Sequence, residues 1–139
     1  MREMENIKEK EGIVSLKMKE EDLKEFLREI ERKKAVKAVY LFGSYVNGKM
    51  HIKSDIDVCV FCEENDNGNV GIYGNENVDV VYFNRLPITM KFRVLREGKE
   101  VFIRDKEFIK KIKLKTIREY FEFKPLLNKF LYRRFKCTI

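Results

Sequence analysis

The chain has 139 residues, of which 44% are hydrophobic, and this size suits one folded domain with a single core over residues 1–139. Charged residues make up 38%, and no apolar run is long enough to cross a bilayer, which argues against a membrane protein. The first residues lack the apolar core of a secretory signal and three cysteines do not suggest a disulfide framework, so we expect a cytoplasmic protein.

The first predicted elements are a helix and two strands. Apolar side chains at helical spacing over residues 20–33 predict an amphipathic helix. Residues 1–19, which precede it, have no clear period and are expected to form an N-terminal arm or an added strand. Apolar runs predict strands at residues 36–42 and 56–62, and we expect the first of these to be buried on both faces. Between the two strands, residues 44–48 are predicted to begin a short helix.

The second half of the chain is predicted to alternate strands and helices. Residues 63–77 are rich in Asn, Gly and acidic residues, which predicts a connection with a short strand at 70–73. Four more elements are expected: a strand over 78–83, a helix from Pro87 to Gly98, a strand over 100–103 and a helix from an Asp105 cap towards Tyr120. Pro125 is expected to break or restart this last helix.

The positive charge of the chain is concentrated in a basic C-terminal helical segment, residues 106–139. This segment has eleven Lys or Arg and three Asp or Glu, a net charge of +8, whereas the whole chain carries +7. Such a segment can bind nucleic acid or an acidic partner. A solvated helix face explains the same pattern more simply, so nucleic acid is not the favoured partner.

Three carboxylates are the candidate catalytic and metal-binding residues. Asp55 and Asp57 are two residues apart at the start of a predicted strand, so they point to the same side and can share a metal ion. Asp79 is the only acid inside an otherwise apolar strand, and an ionised carboxylate there is costly unless it is paired or bound to metal. A salt bridge at a strand edge is the alternative interpretation of Asp79.

Gly43 and Ser44, directly after the first strand, are the candidate nucleotide-binding residues. A glycine lets the backbone approach a phosphate, a helix start offers free N–H groups, and the Ser44 hydroxyl can add another donor. The alternative interpretation is an ordinary tight turn. Three cations on a later helix, Lys91, Arg93 and Arg96, could also reach a phosphate or simply face solvent.

The pattern Gly-Ser, ten residues, then Asp-x-Asp resembles the signature of the minimal nucleotidyltransferases in the DNA-polymerase-β-like superfamily. The strand around Asp79 and the runs at 92–99 and 119–127 resemble the second half of the same pattern, so that the likeness covers about residues 36–135. The fold that this implies is α/β, a small mixed sheet of the polymerase-β-like type with flanking helices, mainly on one face.

Within that superfamily, the chain resembles the MntA-like antitoxins, which pair with a HEPN-domain RNase toxin. The resemblance implies transfer of AMP from ATP to a tyrosine of the toxin. Asp55, Asp57 and Asp79 would bind two Mg²⁺ ions, and an acid at Asp79 could also accept the tyrosine proton. Gly43 and Ser44 would bind the triphosphate. The aromatic side chains of the C-terminal segment could stack on RNA, but their near-helical spacing favours a core helix that also docks the toxin.

Two departures from the family pattern leave other functions open. Residues 45–48 are Tyr-Val-Asn-Gly where the family often has Arg-Ala-Arg-Gly, and residues 63–77 look too short for the usual connecting helix. One alternative is a binding module that neutralises its partner by contact, without catalysis. Another is a nucleotidyltransferase that acts on RNA or on a small molecule.

Overall fold

The structure, a computed structural model, describes residues 20–43, 55–63 and 72–136. It contains a four-stranded mixed sheet in the order β3-β2-β1-β4. The strands are β1 (Val36–Phe42), β2 (Ile56–Cys62), β3 (Val78–Tyr82) and β4 (Lys99–Ile103). β1 pairs antiparallel with both β2 and β4, whereas β2 pairs parallel with β3. The predicted α/β fold with a small mixed sheet and flanking helices is confirmed.

The helices lie close to their predicted positions. They are α1 (20–32), α2 (Ile88–Glu97) and α3 (Lys106–Phe135), and a 3-10 turn at Phe83–Arg85 follows β3. Pro87 and Gly98 are the N-cap and C-cap of α2. The Asp105 carboxylate accepts a hydrogen bond of 3.0 Å from the backbone N–H of Phe108, which confirms the predicted cap of α3.

The sheet is covered by helices on both faces. Leu23, Phe26 and Ile30 of α1 pack against one face. Val94 of α2 and Ile109 of α3 pack against the other face. The expectation that helices lie mainly on one face therefore holds for α2 and α3, whereas α1 covers the opposite side.

β1 is buried on both faces, as its apolar sequence predicts. The pairing with β2 shifts register between Val36 and Ala38, and this bulge interrupts the strict alternation of side chains. Val36 and Val39, three residues apart, consequently pack on the α1 side, whereas Ala38 and Tyr40 pack on the side of α2 and α3.

One prediction about α3 is wrong. Pro125 neither breaks nor restarts the helix, which continues from Lys106 to Phe135. Proline removes one backbone donor, and the carbonyl that loses its partner, at Phe121, lies on an exposed turn where water can replace it. Although α3 has 30 residues, no helix in the described part of the chain is apolar enough over a sufficient length to span a membrane.

Two smaller expectations are also corrected. β3 ends at Tyr82, because Phe83 begins the 3-10 turn. Ile72 and Tyr73 are not in a strand; Ile72 is a buried core side chain, and Asn75 forms an isolated bridge to Val78. The rest of the strand expected at 70–73, the helix expected at 44–48 and the N-terminal arm at 1–19 lie outside the described residues.

Arg104, which follows β4, holds the end of α1 against the sheet. Its guanidinium donates to the carbonyl oxygens of Glu31 and Val36, both at 2.9 Å, and of Ile30 at 3.2 Å. The last carbonyls of a helix have no partner within the helix and carry its negative dipole end, so a cation there satisfies both. This residue therefore stabilises the packing of α1, a role that the sequence pattern does not reveal.

A buried tyrosine joins β1 to β4 and α3. The Tyr40 hydroxyl donates to Glu100 Oε1 at 2.6 Å, and the Lys113 ammonium donates to the same oxygen at 2.8 Å. Burial and the hydrogen bond to Glu100 raise the pKa of Tyr40 from 10.0 to about 12.

We expect the wild-type protein to lose stability between about pH 10 and about pH 12, and Tyr40→Phe to lose less over the same interval. In this window the unfolded chain releases the Tyr40 proton while the folded protein retains it, so the free energy of unfolding falls as pH rises. Urea denaturation of both proteins across the window measures the difference. An equal decrease of the free energy of unfolding with pH in the two proteins would contradict the prediction.

Candidate active site

Two of the three predicted carboxylates lie side by side in the sheet. Asp57 of β2 is the direct partner of Asp79 in the parallel β3 strand. Paired residues of neighbouring strands project to the same face, here the one covered by α2 and α3, because Phe61 of β2 packs there and is an even number of residues away. Asp55, two residues before Asp57, immediately precedes β2.

The carboxylate of Asp57 is destabilised by its surroundings. Partial burial, then the charge of Asp79 and then that of Asp55 raise the pKa of Asp57 above its ordinary value of 3.8. Asp55 and Asp79 are exposed, whereas Asp57 is partly buried. The three predicted acids therefore interact electrostatically, with Asp57 at the centre.

Gly43 directly follows β1 and lies against the same carboxylate. Its φ of 77° is in the left-handed region, which favours glycine. A Cβ at this position would lie 3.3 Å from Asp57 Cγ and would collide with Asp57 Oδ2. The absence of a side chain at Gly43 thus makes room for the Asp57 carboxylate to lie against the backbone. Ser44 lies outside the described residues, so its phosphate-binding role stays a prediction.

A small cavity of about 120 Å³ adjoins Gly43 beneath α2. It is lined by Phe42, Gly43, Met90, Arg93, Val94 and Glu97. Of the three α2 cations that could reach a phosphate, Lys91, Arg93 and Arg96, it is Arg93 that lines this cavity. Its Nε donates a hydrogen bond of 3.1 Å to Glu97 Oε2. Lys91 instead lies 5.5 Å from the centre of the Phe83 ring. Sequence reasoning did not single out Met90 or Glu97; the four-residue spacing of Arg93 and Glu97 was the only available signal.

Beside the cavity, Glu97 forms ion pairs with two arginines, Arg93 and Arg96. Hydrogen bonds from Arg96 and then Arg93 lower the pKa of Glu97, so this carboxylate is ionised at neutral pH. Both ion pairs are on the surface, at 2.9 Å for Arg96 and 3.1 Å for Arg93. Such exposed pairs exchange readily with solvent and other ligands, so Arg93 can be released towards an anion in the cavity.

The chemistry of the three carboxylates fits a divalent cation. Carboxylate oxygens are the ligands that Mg²⁺ prefers, and a cation would relieve the repulsion that raises the pKa of Asp57. The side chains are not already drawn together: within residues 20–43, 55–63 and 72–136, no group of three or more His, Cys, Asp or Glu is arranged to hold a metal ion. The three carboxylates thus match a metal-binding site in residue type and in the pairing of Asp57 with Asp79, and not in an arrangement of the side chains around an ion.

The chain matches a known protein family. The family "Polymerase beta, Nucleotidyltransferase" matches residues 21–107, which is more than half of the chain. The chain belongs to this family. The match extends from α1 through the start of α3 and thus contains all four strands of this nucleotidyltransferase and its three candidate carboxylates.

Solved structures share the fold of this nucleotidyltransferase. One is a toxin–antitoxin complex with AMP-PNP (TM-score 0.61, 21% identity, covering 81% of this chain and 94% of the other). A second is a tri-AMPylated HEPN toxin with its MNT antitoxin from Shewanella oneidensis (TM-score 0.56, 19% identity, 83% and 94% covered). A third is a MntA–HepT toxin–antitoxin complex (TM-score 0.56, 18% identity, 83% and 95% covered). No curated protein matches the chain. The resemblance predicted from the sequence is confirmed at the level of family and fold.

Proposed function

We propose that this nucleotidyltransferase is an antitoxin that transfers AMP from ATP to a tyrosine of a HEPN-type RNase toxin, in a reaction that requires Mg²⁺. The observation that carries the proposal is the pairing of Asp57 with Asp79, with the Asp57 carboxylate packed against the backbone of Gly43. The similar fold of an MNT antitoxin complexed with a tri-AMPylated HEPN toxin supports the choice of partner and reaction.

The residues that would hold Mg²⁺ are Asp55, Asp57 and Asp79, with two ions as the resemblance implies. When bound, the ions would neutralise charge on the triphosphate and favour ionisation of the attacking hydroxyl. Gly43 would let the triphosphate approach Asp57, together with the Ser44 hydroxyl. Arg93, which lines the adjoining cavity, would offer positive charge to a phosphate oxygen.

The position of Asp79 supports an acceptor on another macromolecule. β3 is the edge strand of the sheet that the described residues form, and the Asp79 side chain is exposed, so the site is accessible from outside the domain. A tyrosine of a second protein can therefore approach on this side. In this proposal Asp79 accepts the proton of the tyrosine hydroxyl as the hydroxyl attacks the α-phosphorus, and pyrophosphate leaves.

The test uses the HEPN-type protein that we expect to be encoded beside this chain. The two purified proteins are mixed with Mg²⁺ and ATP labelled at the α-phosphate, and label on the HEPN protein is measured. We expect label with the wild type and with the control Glu31→Gln, which removes an exposed charge on α1. We expect none with the double variant Asp55→Asn, Asp57→Asn. Equal labelling by the double variant would overturn the proposed reaction.

The same proteins separate this proposal from neutralisation by contact. RNase activity of the HEPN protein is measured after incubation with wild type or double variant, in each case with ATP and Mg²⁺. A catalytic antitoxin suppresses the RNase at substoichiometric amounts and loses this property in the double variant. Full suppression by the double variant at equimolar amounts would favour the binding module instead.

A further inference from the structure

The C-terminal half of α3 exposes an apolar surface. In the first half of the helix, Ile109 and Thr116 are buried, and the Tyr120 ring stacks on Phe92 of α2 with centroids 3.8 Å apart. No residue of α3 after Tyr120 is buried, although eight large hydrophobic side chains follow before the helix ends. Five of them lie on one side of the helix, and we call these five the distal arc: Phe123, Leu126, Leu127, Phe130 and Leu131.

The distal arc continues the stripe by which α3 packs on its own domain. From Tyr120, steps of three and four residues lead to Phe123, Leu127 and Phe130, so these side chains share the core-facing side of the helix. The exposed fractions are 64% for Leu126 and 52% for Phe130. Apolar surface that is contiguous and exposed to this extent marks an interaction site.

The positive charge around the distal arc favours a partner with an acidic surface. From Phe123 to Lys136 inclusive there are five Lys or Arg and no Asp or Glu. At 100° per residue, Lys124 lies on one side of the arc, and Lys129 and Arg133 lie on the other. Arg134 lies within the arc, with its guanidinium carbon 5.9 Å from the centre of the Phe130 ring. The distal half of a second copy would bring the same positive charge, so pairing of two distal halves is disfavoured.

The position of the arc favours a helical partner over a membrane. The arc is on the side of α3 that packs on α2 further back, so it faces towards the domain and not away from it. The distal half is about 20 Å long, which is enough for a partner helix to lie along it. A surface on this side of α3 suits a helix better than a flat bilayer.

We propose that the distal arc docks in an apolar groove between helices of the partner protein, and that acidic side chains at the rim of the groove face Lys129 and Arg133. The spacing of the arc residues is that of helices that bind in grooves. This inference rests on the partner named in the proposed function, the HEPN-type protein, and adds the surface through which the two proteins bind.

The test compares two substitutions on the same helical turn. Phe130→Asp places a carboxylate in the arc, whereas Tyr132→Asp places one about 200° around the helix, where the side chain is also exposed, at 63%. Binding of each variant to the purified HEPN-type protein is measured by calorimetry without ATP, and circular dichroism monitors the fold. We expect Phe130→Asp to weaken binding about thirtyfold or more, and Tyr132→Asp to change it less than about threefold.

Each result of these binding measurements either supports or contradicts the proposed docking surface. Selective loss with Phe130→Asp, together with weaker binding by Arg133→Glu and at higher salt, supports the proposal. Equal affinity for both variants, absence of wild-type binding, or occupation of the arc by a second copy or by anionic vesicles overturns it. Labelling of the HEPN protein is measured separately. If the HEPN protein is labelled but the binding pattern is not the expected one, only the proposed docking surface is wrong. If the two proteins bind as expected but no label is transferred, only the proposed reaction is wrong.

Discussion

Replacing Asp57 by Asn is expected to abolish AMP transfer and to make the metal-free protein more stable. Asp57 is the direct partner of Asp79 and lies beneath Gly43, so it is the central member of the proposed metal-binding set. Loss of one preorganised group that acts on the charge of a transition state costs about 10²–10³-fold in rate. We expect a loss of at least this size, because the other two carboxylates cannot occupy the position of Asp57.

The opposite effect on stability has an electrostatic cause. In the folded protein, the Asp57 carboxylate is partly desolvated and is repelled by Asp79 and Asp55, which is why its pKa is raised. Asparagine has nearly the same shape and carries no charge, so the substitution removes this repulsion at neutral pH. A residue retained for function at a cost in stability shows this combination of lost activity and gained stability.

Thermal unfolding at neutral pH measures the second effect. In EDTA, the melting temperature of Asp57→Asn should exceed that of the wild type by a few degrees. Addition of Mg²⁺ should raise the melting temperature of the wild type, because binding to the folded state stabilises it, and should leave the variant nearly unchanged. Glu31→Gln, on the opposite side of the sheet, should behave as the wild type in both solutions. A variant less stable than the wild type in EDTA would show that Asp57 has a structural role.

The part of the site that lies on a single strand could be predicted from the sequence, whereas the pairing between strands could not. Asp55 and Asp57 could be assigned to one strand face, because alternation along a strand needs no other information. The partnership of Asp57 with Asp79 could not be derived, because the register of parallel strands depends on the connection between them. The apolar context of Asp79 indicated that its charge needed a partner, and only the family resemblance indicated that the partners were Asp55 and Asp57.

Contacts between distant segments account for what the sequence did not predict. Arg104 donates to carbonyl groups about 70 residues earlier, and nothing next to it in the chain indicates this. The choice of Arg93 over Lys91 depends on how α2 is rotated against the sheet. At Pro125 a local rule gave the wrong prediction. Proline usually ends a helix, but here the residues on both sides are helical and α3 continues through it.

Gly43→Ala is expected to lower both stability and activity, since glycine serves two purposes at this position. The backbone has a φ of 77°, and an L-residue in the left-handed region costs roughly 1–2 kcal/mol. In addition, the new Cβ would collide with Asp57 Oδ2 and push the carboxylate away from its place beside Asp79. A displacement of about 1 Å at a catalytic group can cost about a hundredfold in rate.

A double-mutant cycle separates the two contributions. In an Asp57→Ala background, the atoms that collide with the new Cβ are absent, and only Asp57 Cβ remains, at an ordinary contact distance of 3.5 Å. Gly43→Ala should then cost only the backbone contribution in urea denaturation, so the difference between the two backgrounds measures the collision. The same cost in both backgrounds would mean that the Cβ and the carboxylate do not meet.

Gly43→Asn provides the matched comparison for activity. Asparagine tolerates the left-handed region better than alanine but has the same Cβ, so it reduces the backbone strain and keeps the collision. If the position of Asp57 limits AMP transfer, Gly43→Asn should be more stable than Gly43→Ala and as inactive. Recovery of transfer in step with stability would instead mean that backbone strain, and not the displaced carboxylate, causes the loss, because a collision with Asp57 would persist in both variants.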